Sequence, residues 1–163
     1  MELSRSQQKK KDAAKLQNGR CFYCTLRMPH DDMTWEHLVA RAHGGNDKWR
    51  NLRVAHQKCN VLVADAPVSI KLRFHDIGLK YGSDAFFVTA ERVMKLHPGT
   101  LAAVGIRKRA RRMKKSEWAK APYELRHAFD ESLRIALEII KRKALYQQEF
   151  AEPQNDNENQ MVA

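Results

Sequence analysis

The sequence has no long hydrophobic run, which argues against a helical membrane protein. None of its segments approaches the roughly 18 consecutive apolar residues that a membrane-spanning helix needs. Its first residues, MELSRSQQKKKD, also lack the apolar stretch of a secretory signal peptide. We therefore expect a soluble protein of the cytoplasm.

Cysteine is scarce as well, and acidic residues are outnumbered. The 163 residues include only three cysteines, an odd number that cannot all pair in disulfides. Asp and Glu number 19 against 30 Lys and Arg, so the formal net charge is +11. Such an excess of positive charge indicates a polyanionic partner, either nucleic acid or an acidic membrane surface.

Composition divides the chain into four segments. No period repeats, which excludes a solenoid. Residues 1–20 form a basic N-terminal arm, 21–66 hold all three cysteines, 67–148 have helical periodicity, and 149–163 form an acidic tail that is predicted to be disordered.

The third segment is predicted to be mainly helical. Residues 67–77 and 84–96 have the pattern of short helices, and a long helix is predicted from near Pro122. The long helix has one apolar stripe, which we expect to pack on the preceding helices, with a homodimer seam as the alternative. The residues of the stripe are Phe129, Leu133, Ala136, Leu137, Ile140 and Ala144.

Two pairs of metal-binding side chains have the same spacing. Cys21 and Cys24 are separated by two residues, as are His56 and Cys59, and 31 residues lie between the two pairs. A two-residue gap lets both members of a pair reach one ion from a single turn, and four nitrogen or sulfur ligands make a closed tetrahedral zinc site. We predict a structural Zn²⁺ that joins the two ends of this segment.

A second ligand set is compatible with spacing alone. Cys21, Cys24, His37 and His43 fit the spacing of a DNA-reading zinc finger. Such a finger needs an apolar residue on its helix shortly before the first histidine, and the sequence has Thr34 there. The surrounding MTWEHLV also favours a strand over a helix. We therefore favour the first set.

Further residues follow one another in a recognisable order between the two pairs. An acidic residue and a histidine come first, then a Gly-Gly turn, an Asn-Leu that opens a second strand, and the second metal-binding pair with an asparagine directly behind it. These features are Glu36-His37, Gly44-Gly45, Asn51-Leu52, His56 with Cys59, and Asn60. Over about residues 20–63 the pattern resembles that of the HNH endonucleases.

The resemblance implies a ββα-metal fold, in which two short antiparallel strands precede a helix. We expect the strands near residues 33–38 and 52–55 and the helix from about residue 57, with zinc holding the strands to the helix. The expected fold class is α+β, a small zinc-bound ββα core with a mainly helical C-terminal extension.

The resemblance also implies a role for each residue of the site. His37 would be the general base that activates a water for attack on phosphorus. Asn51, the second catalytic residue, would hold the loop between the strands and help to fix the histidine. Glu36 and Asn60 would bind one catalytic divalent cation, Mg²⁺ or a similar ion. Adjacent strand residues point to opposite faces. Glu36 and His37 can therefore share one site only if the strand bends there or if one ligand side chain extends around the strand to the other face.

These roles suit the hydrolysis of a phosphodiester. An imidazole with an ordinary pKa of about 6.5 accepts a proton at neutral pH. A cation held by oxygen ligands stabilises the charge on the phosphate and on the leaving oxygen. We predict a metal-dependent HNH endonuclease that hydrolyses DNA, with a catalytically silent zinc module that binds nucleic acid as the alternative.

Two basic runs are predicted to contact the DNA backbone, where phosphate contacts give affinity without reading the base sequence. Residues 107–115 place seven cations in nine positions without one acid, and the other run is the lysine triplet of the N-terminal arm. The residues predicted to bind DNA are Lys9, Lys10, Lys11, Arg41, Arg107, Lys108, Arg109, Arg111 and Arg112.

Overall fold

The computed structural model describes residues 4–96 and 123–149. The basic run at 107–115 and the tail from 150 onward lie outside the described residues, and so do the predicted DNA contacts of the run. Four helices and two strands form the described part. They are α1 (Arg5–Leu16), β1 (Met33–His37), β2 (Leu52–His56), α2 (Gln57–Val63), α3 (Val68–Leu96) and α4 (Tyr123–Glu149).

The two strands form an antiparallel hairpin with α2 directly behind it. Met33 of β1 pairs with His56 of β2, and the register ends with His37 opposite Leu52. The predicted strands and the helix that follows them are therefore confirmed. With the helices that come after, the chain has the expected α+β fold, with a small two-stranded sheet and a mainly helical C-terminal part.

The basic N-terminal segment is a helix that packs on the hairpin. Ser4 caps α1 in a reciprocal capping box with Gln7. At the other end, the Gln17 side chain exchanges two hydrogen bonds with the backbone of Val54, at 2.8 and 2.9 Å. The bond to the N–H of Val54 satisfies a donor on the outer edge of β2 that would otherwise need water or another strand, whereas the carbonyl of Val54 also accepts from the N–H of Phe22 at 3.1 Å.

Helix α3 consists of two halves that meet at a break. The backbone of Gly82 leaves the helical conformation, with φ 87° and ψ 178°. The first half therefore runs further than the predicted 67–77, and the second half corresponds to the predicted 84–96. Among the described residues, no helix is both long enough and apolar enough to cross a membrane.

The hydrophobic core continues from the hairpin into the helices. Phe74 and Phe86 of α3 meet edge to face, and Phe129 of α4 lies against Phe74 with 5.0 Å between ring centroids. The predicted packing of α4 on the preceding helices is thus correct at Phe129 and Ala136, which are buried. Leu137, in contrast, is 36% exposed, and the predicted homodimer seam stays a prediction.

Gly78 lets α3 approach the loop that carries Cys21 and Cys24. A Cβ atom at this position would lie 1.8 Å from the carbonyl oxygen of Tyr23. A side chain of any size would therefore push the helix away from this loop. This close approach joins the helical part to the segment that holds the cysteines.

We expect Gly78→Ala to destabilise the protein by about 1–3 kcal/mol, the usual cost of overpacking a close contact. Chemical denaturation of the zinc-loaded protein measures the change. Leu79→Ala is the matched control, because Leu79 is the next residue of the same helix and is exposed. Equal unfolding midpoints for Gly78→Ala and wild type would contradict the close approach.

Candidate functional site

The predicted zinc ligands come together in the structure. One ligand atom each from Cys21, Cys24, His56 and Cys59 forms a cluster whose members all lie within 4.8 Å of one another, and all four residues are buried. The first two lie in the loop after α1, His56 ends β2, and Cys59 lies in the first turn of α2. The cluster therefore joins the loop, the sheet and the helix.

The orientation of His56 suits a metal ligand. Its Nδ1 lies 3.2 Å from the sulfur of Cys24, and its Nε2 lies 3.1 Å from the carbonyl oxygen of Arg27. Because a carbonyl only accepts, Nε2 carries the proton and donates it, which leaves the lone pair of Nδ1 directed at the sulfurs. Metal-bound histidines are commonly oriented by such a backbone bond.

The chemistry of the sulfurs agrees with this assignment. Hydrogen bonds from Cys24 and then Cys59 lower the pKa of Cys21, which favours the thiolate form of this sulfur. Thiolate is the form that binds metal. Three sulfurs and one imidazole nitrogen in a buried cluster fit a closed, structural Zn²⁺ site.

The zinc-finger ligand set is excluded by position. His37 contacts Asp47, and the Nε2 of His43 lies 3.5 Å from a carboxylate oxygen of Asp65. Neither histidine belongs to the cluster of sulfurs. The spacing that suggested a finger was coincidental, because residues 33–37 form a strand instead of a recognition helix.

His37 forms a polar cluster with two residues of the loop that connects the strands. Its Nε2 lies 2.7 Å from Oδ1 of Asp47. Arg41 donates to both oxygens of the same carboxylate, at 2.8 and 2.9 Å, and its Nε lies 3.3 Å from Nε2 of His37. Hydrogen bonds from His37 and then Arg41 hold the pKa of Asp47 below its usual value.

One ring nitrogen of His37 remains available to accept a proton. A nitrogen 2.7 Å from a carboxylate oxygen donates its proton, so the lone pair of a neutral imidazole is on Nδ1. This atom has no hydrogen bond to any described residue. The His37 side chain is 17% exposed, while Asp47 and Arg41 are largely exposed, so the cluster opens to solvent.

Asn51 holds the two ends of the connecting loop together. Its Oδ1 accepts from the backbone N–H of Val39 at 2.7 Å, and its Nδ2 donates to the carbonyls of Val39 at 3.0 Å and Asn46 at 2.8 Å. Gly45 allows the turn, because a Cβ there would lie 1.8 Å from the carbonyl oxygen of Val39. This geometry is what the predicted loop-holding role of Asn51 requires.

Glu36 does not lie beside the imidazole of its neighbour. The imidazole side chain of His37 is 17% exposed, whereas Glu36 points into the core with 0% exposure. There its Oε1 lies 2.5 Å from the ammonium of Lys71, which also donates to the carbonyl of His37 at 2.7 Å. Burial raises the pKa of Glu36, while Lys71 and the hydroxyl of Tyr23 act in the opposite direction.

Asn60 lies on the same face of β1 as Glu36 and makes structural contacts. Its Nδ2 donates to Oγ1 of Thr34 at 3.2 Å and to the carbonyl of Trp35 at 3.0 Å. A hydrated Mg²⁺ needs oxygen ligands and open positions for water. As the structure holds them, Glu36 and Asn60 do not fit such an ion, because the carboxylate is buried and already paired with an ammonium. Their role as ligands of a catalytic cation stays a prediction.

Two residues of this region were missed in the sequence. Asp47 follows the Gly-Gly turn and contacts both His37 and Arg41, but an isolated acid in a polar loop gives no signal. The sequence did contain a signal for Lys71, because this residue shares the buried face of α3 with Phe74. A lysine on an apolar helical stripe requires a buried partner.

The predicted DNA contacts of the first helix differ in their surroundings. Lys9 and Lys11 are exposed, whereas Lys10 is half-buried and donates to the carbonyl of Met33 at 3.1 Å. Arg41 belongs to the His37 cluster. A groove of about 970 Å³ follows the connecting loop, and its lining includes Lys48, Trp49, Arg50 and Arg53.

Comparison with known families identifies the segment around the cluster. Residues 21–65 match the family model for HNH endonuclease. No curated protein and no solved structure matches the chain. The resemblance found in the sequence is confirmed for this segment, which is well under half of the chain. Residues 21–65 are thus an HNH module, of a nuclease-type family, with a zinc-binding cluster.

We expect the purified protein to bind one Zn²⁺ per chain and Cys59→Ala to lose it. Structural zinc contributes about 10–16 kcal/mol of apparent binding free energy, so its loss unfolds a small module. Metal analysis and thermal unfolding measure the two effects. His43→Ala is the control, because His43 lies outside the cluster. Loss of zinc in His43→Ala with retention in Cys59→Ala would overturn the ligand set.

Proposed function

We propose that the protein is an endonuclease that hydrolyses phosphodiester bonds of DNA, with His37 as the general base. The observation that carries the proposal is the cluster of His37, Asp47 and Arg41 within an HNH module. It combines a base, a residue that orients the base, and a cation on one solvent-accessible surface. The choice of DNA over RNA rests on the family resemblance.

His37 is suited to activate water through Nδ1. The bond from Nε2 to Asp47 fixes the tautomer and holds the ring in place. A water on the side of Nδ1 gives its proton to this nitrogen as its oxygen attacks phosphorus. The bond from phosphorus to the leaving 3′ oxygen breaks, and this oxygen takes a proton from solvent. General-base catalysis of this kind contributes about 10²–10⁴-fold to the rate of hydrolysis.

Arg41 is suited to hold the phosphate. Its guanidinium lies 3.3 Å from the imidazole and presents a planar set of donors, which matches two phosphate oxygens as it now matches two carboxylate oxygens. Fixed positive charge next to the reacting phosphorus stabilises the negative charge that develops there. In this proposal Arg41 exchanges part of its contact with Asp47 for the substrate.

The Mg²⁺ predicted from the resemblance takes no part in these steps. Its expected ligands, Glu36 and Asn60, are held by Lys71 and by the backbone of β1. The steps that we propose use His37, Asp47 and Arg41 alone.

Positive charge around the site supports a nucleic-acid substrate. The net charge is +11. The groove beside the connecting loop carries Lys48, Arg50 and Arg53, and the exposed ring of Trp49 lies under the guanidinium of Arg50 at 5.5 Å. Contacts of such cations with phosphates supply affinity that falls steeply with salt.

A catalytically silent nucleic-acid-binding module is the second candidate. The ion pair of Glu36 with Lys71 favours it, because this carboxylate is not free to bind a catalytic cation. The two candidates share the fold and the charge and differ only in cleavage. Binding of DNA without cleavage by zinc-loaded wild type would favour the silent module.

We expect His37→Ala to reduce cleavage of supercoiled plasmid by about 10²–10⁴-fold, because water loses its proton acceptor. The assay uses zinc-loaded protein with and without added Mg²⁺. His43→Ala is the matched control, since it removes another imidazole of the same loop and leaves the cluster intact. DNA binding and zinc content of His37→Ala should equal those of wild type. Undiminished cleavage would show that the base is misassigned.

We expect Asp47→Asn to lower cleavage by about a hundred-fold, the order of cost of misplacing a catalytic group. Thermal stability should change little, because Asp47 is exposed. Asp47→Glu should restore part of the activity, since it restores a carboxylate that can reach the imidazole. If Asp47→Asn cleaves as fast as wild type, the carboxylate does not orient the base.

A further inference from the structure

We infer that the ammonium of Lys71 is the resident cation of the Glu36 carboxylate, so the module holds no divalent cation at Glu36 and Asn60. The inference concerns the same module as the proposed function, but it does not depend on cleavage. It rests on the contact of the Lys71 ammonium with the Glu36 carboxylate, because the ammonium occupies the position that a divalent ion would need.

The position of the ammonium is that of a cation held by oxygen ligands. Nζ of Lys71 contacts a carboxylate oxygen of Glu36 at 2.5 Å and the carbonyl oxygen of His37 at 2.7 Å. Both ligands belong to β1, and Asn60 is on the same face of that strand. The positive charge therefore lies where the family resemblance expects a metal, against the acid that precedes the histidine.

Burial makes this pairing exclusive. Glu36 is 0% exposed and Lys71 is 1% exposed, so neither charge can be compensated by water. A carboxylate in such a place needs a partner of opposite charge. Two cations at the same oxygen would repel each other strongly at low local dielectric. A divalent ion at this carboxylate oxygen would have to displace the ammonium of Lys71, which is itself almost fully buried.

The lysine comes from the part of the chain that the family model does not cover. The match ends at residue 65, and Lys71 lies in the first turn of α3, which begins at Val68. Ile70 and Phe74, its neighbours on the helix, are fully buried in the core. The helical extension thus supplies the charge that completes the interior of the HNH module.

Binding of Mn²⁺ to the zinc-loaded protein tests the inference, with electron paramagnetic resonance as the readout. Wild type and Glu36→Gln should show the same Mn²⁺ binding. Lys71→Met keeps the length of the side chain and removes the charge, so it should gain one Mn²⁺ site that is at least about tenfold tighter than any in wild type, because affinity follows ligand charge. The double variant Lys71→Met/Glu36→Gln should lose the gained site.

Glu91→Gln is the matched control, because it removes an exposed carboxylate of α3. A Mn²⁺ site in wild type that Glu36→Gln abolishes and Glu91→Gln keeps would overturn the inference. If Lys71→Met does not fold, the comparison of wild type with Glu36→Gln still decides. Absence of nuclease activity would leave these binding results unchanged, so failure of the proposed function is a separate outcome.

Discussion

The zinc-binding cluster is the constraint on which the rest of the module depends. A two-stranded sheet of five-residue strands is not stable by itself in water. Cys21 and Cys24 hold the loop after α1, while His56 and Cys59 hold the junction of β2 with α2. Because His56 pairs with Met33, the metal site also fixes one end of the strand register. The other end of that register is His37 opposite Leu52, so the position of the proposed base follows from a cluster at the far end of the hairpin.

The hairpin then separates two side chains that are adjacent in sequence. His37 is turned toward the loop and solvent, and Glu36 is turned toward the core. Each side chain finds a partner on its own face, Asp47 for the imidazole and Lys71 for the carboxylate. A single ββα hairpin thus presents a solvent-accessible polar cluster on one face and a buried ion pair on the other. Chemistry at His37 and packing at Glu36 are therefore physically distinct, although one peptide bond joins them.

Local spacing predicted the two metal-binding pairs, because the members of each pair lie within one turn. The family resemblance implied both strands and the start of α2, and these predictions were also correct. The packing of α1 on β2 was not predicted, because it depends on bonds between Gln17 and Val54, which are far apart in the chain. Asp47 and Lys71 were missed for the same reason. Asp47 comes near its partners only when the connecting loop closes. Lys71 comes near its partner only when α3 packs on the sheet.

The ion pair of Glu36 with Lys71 gives the helical extension a role inside the module. Replacing a buried ion pair by apolar residues is often neutral or stabilising, whereas removing one partner is costly. The pair therefore ties the placement of α3 to the hairpin, because a shift of the helix would leave two buried charges uncompensated. Without α3, Glu36 would have to take up a proton, bind another cation or turn toward solvent. The segment that matches the HNH family is thus completed electrostatically by a helix outside the match.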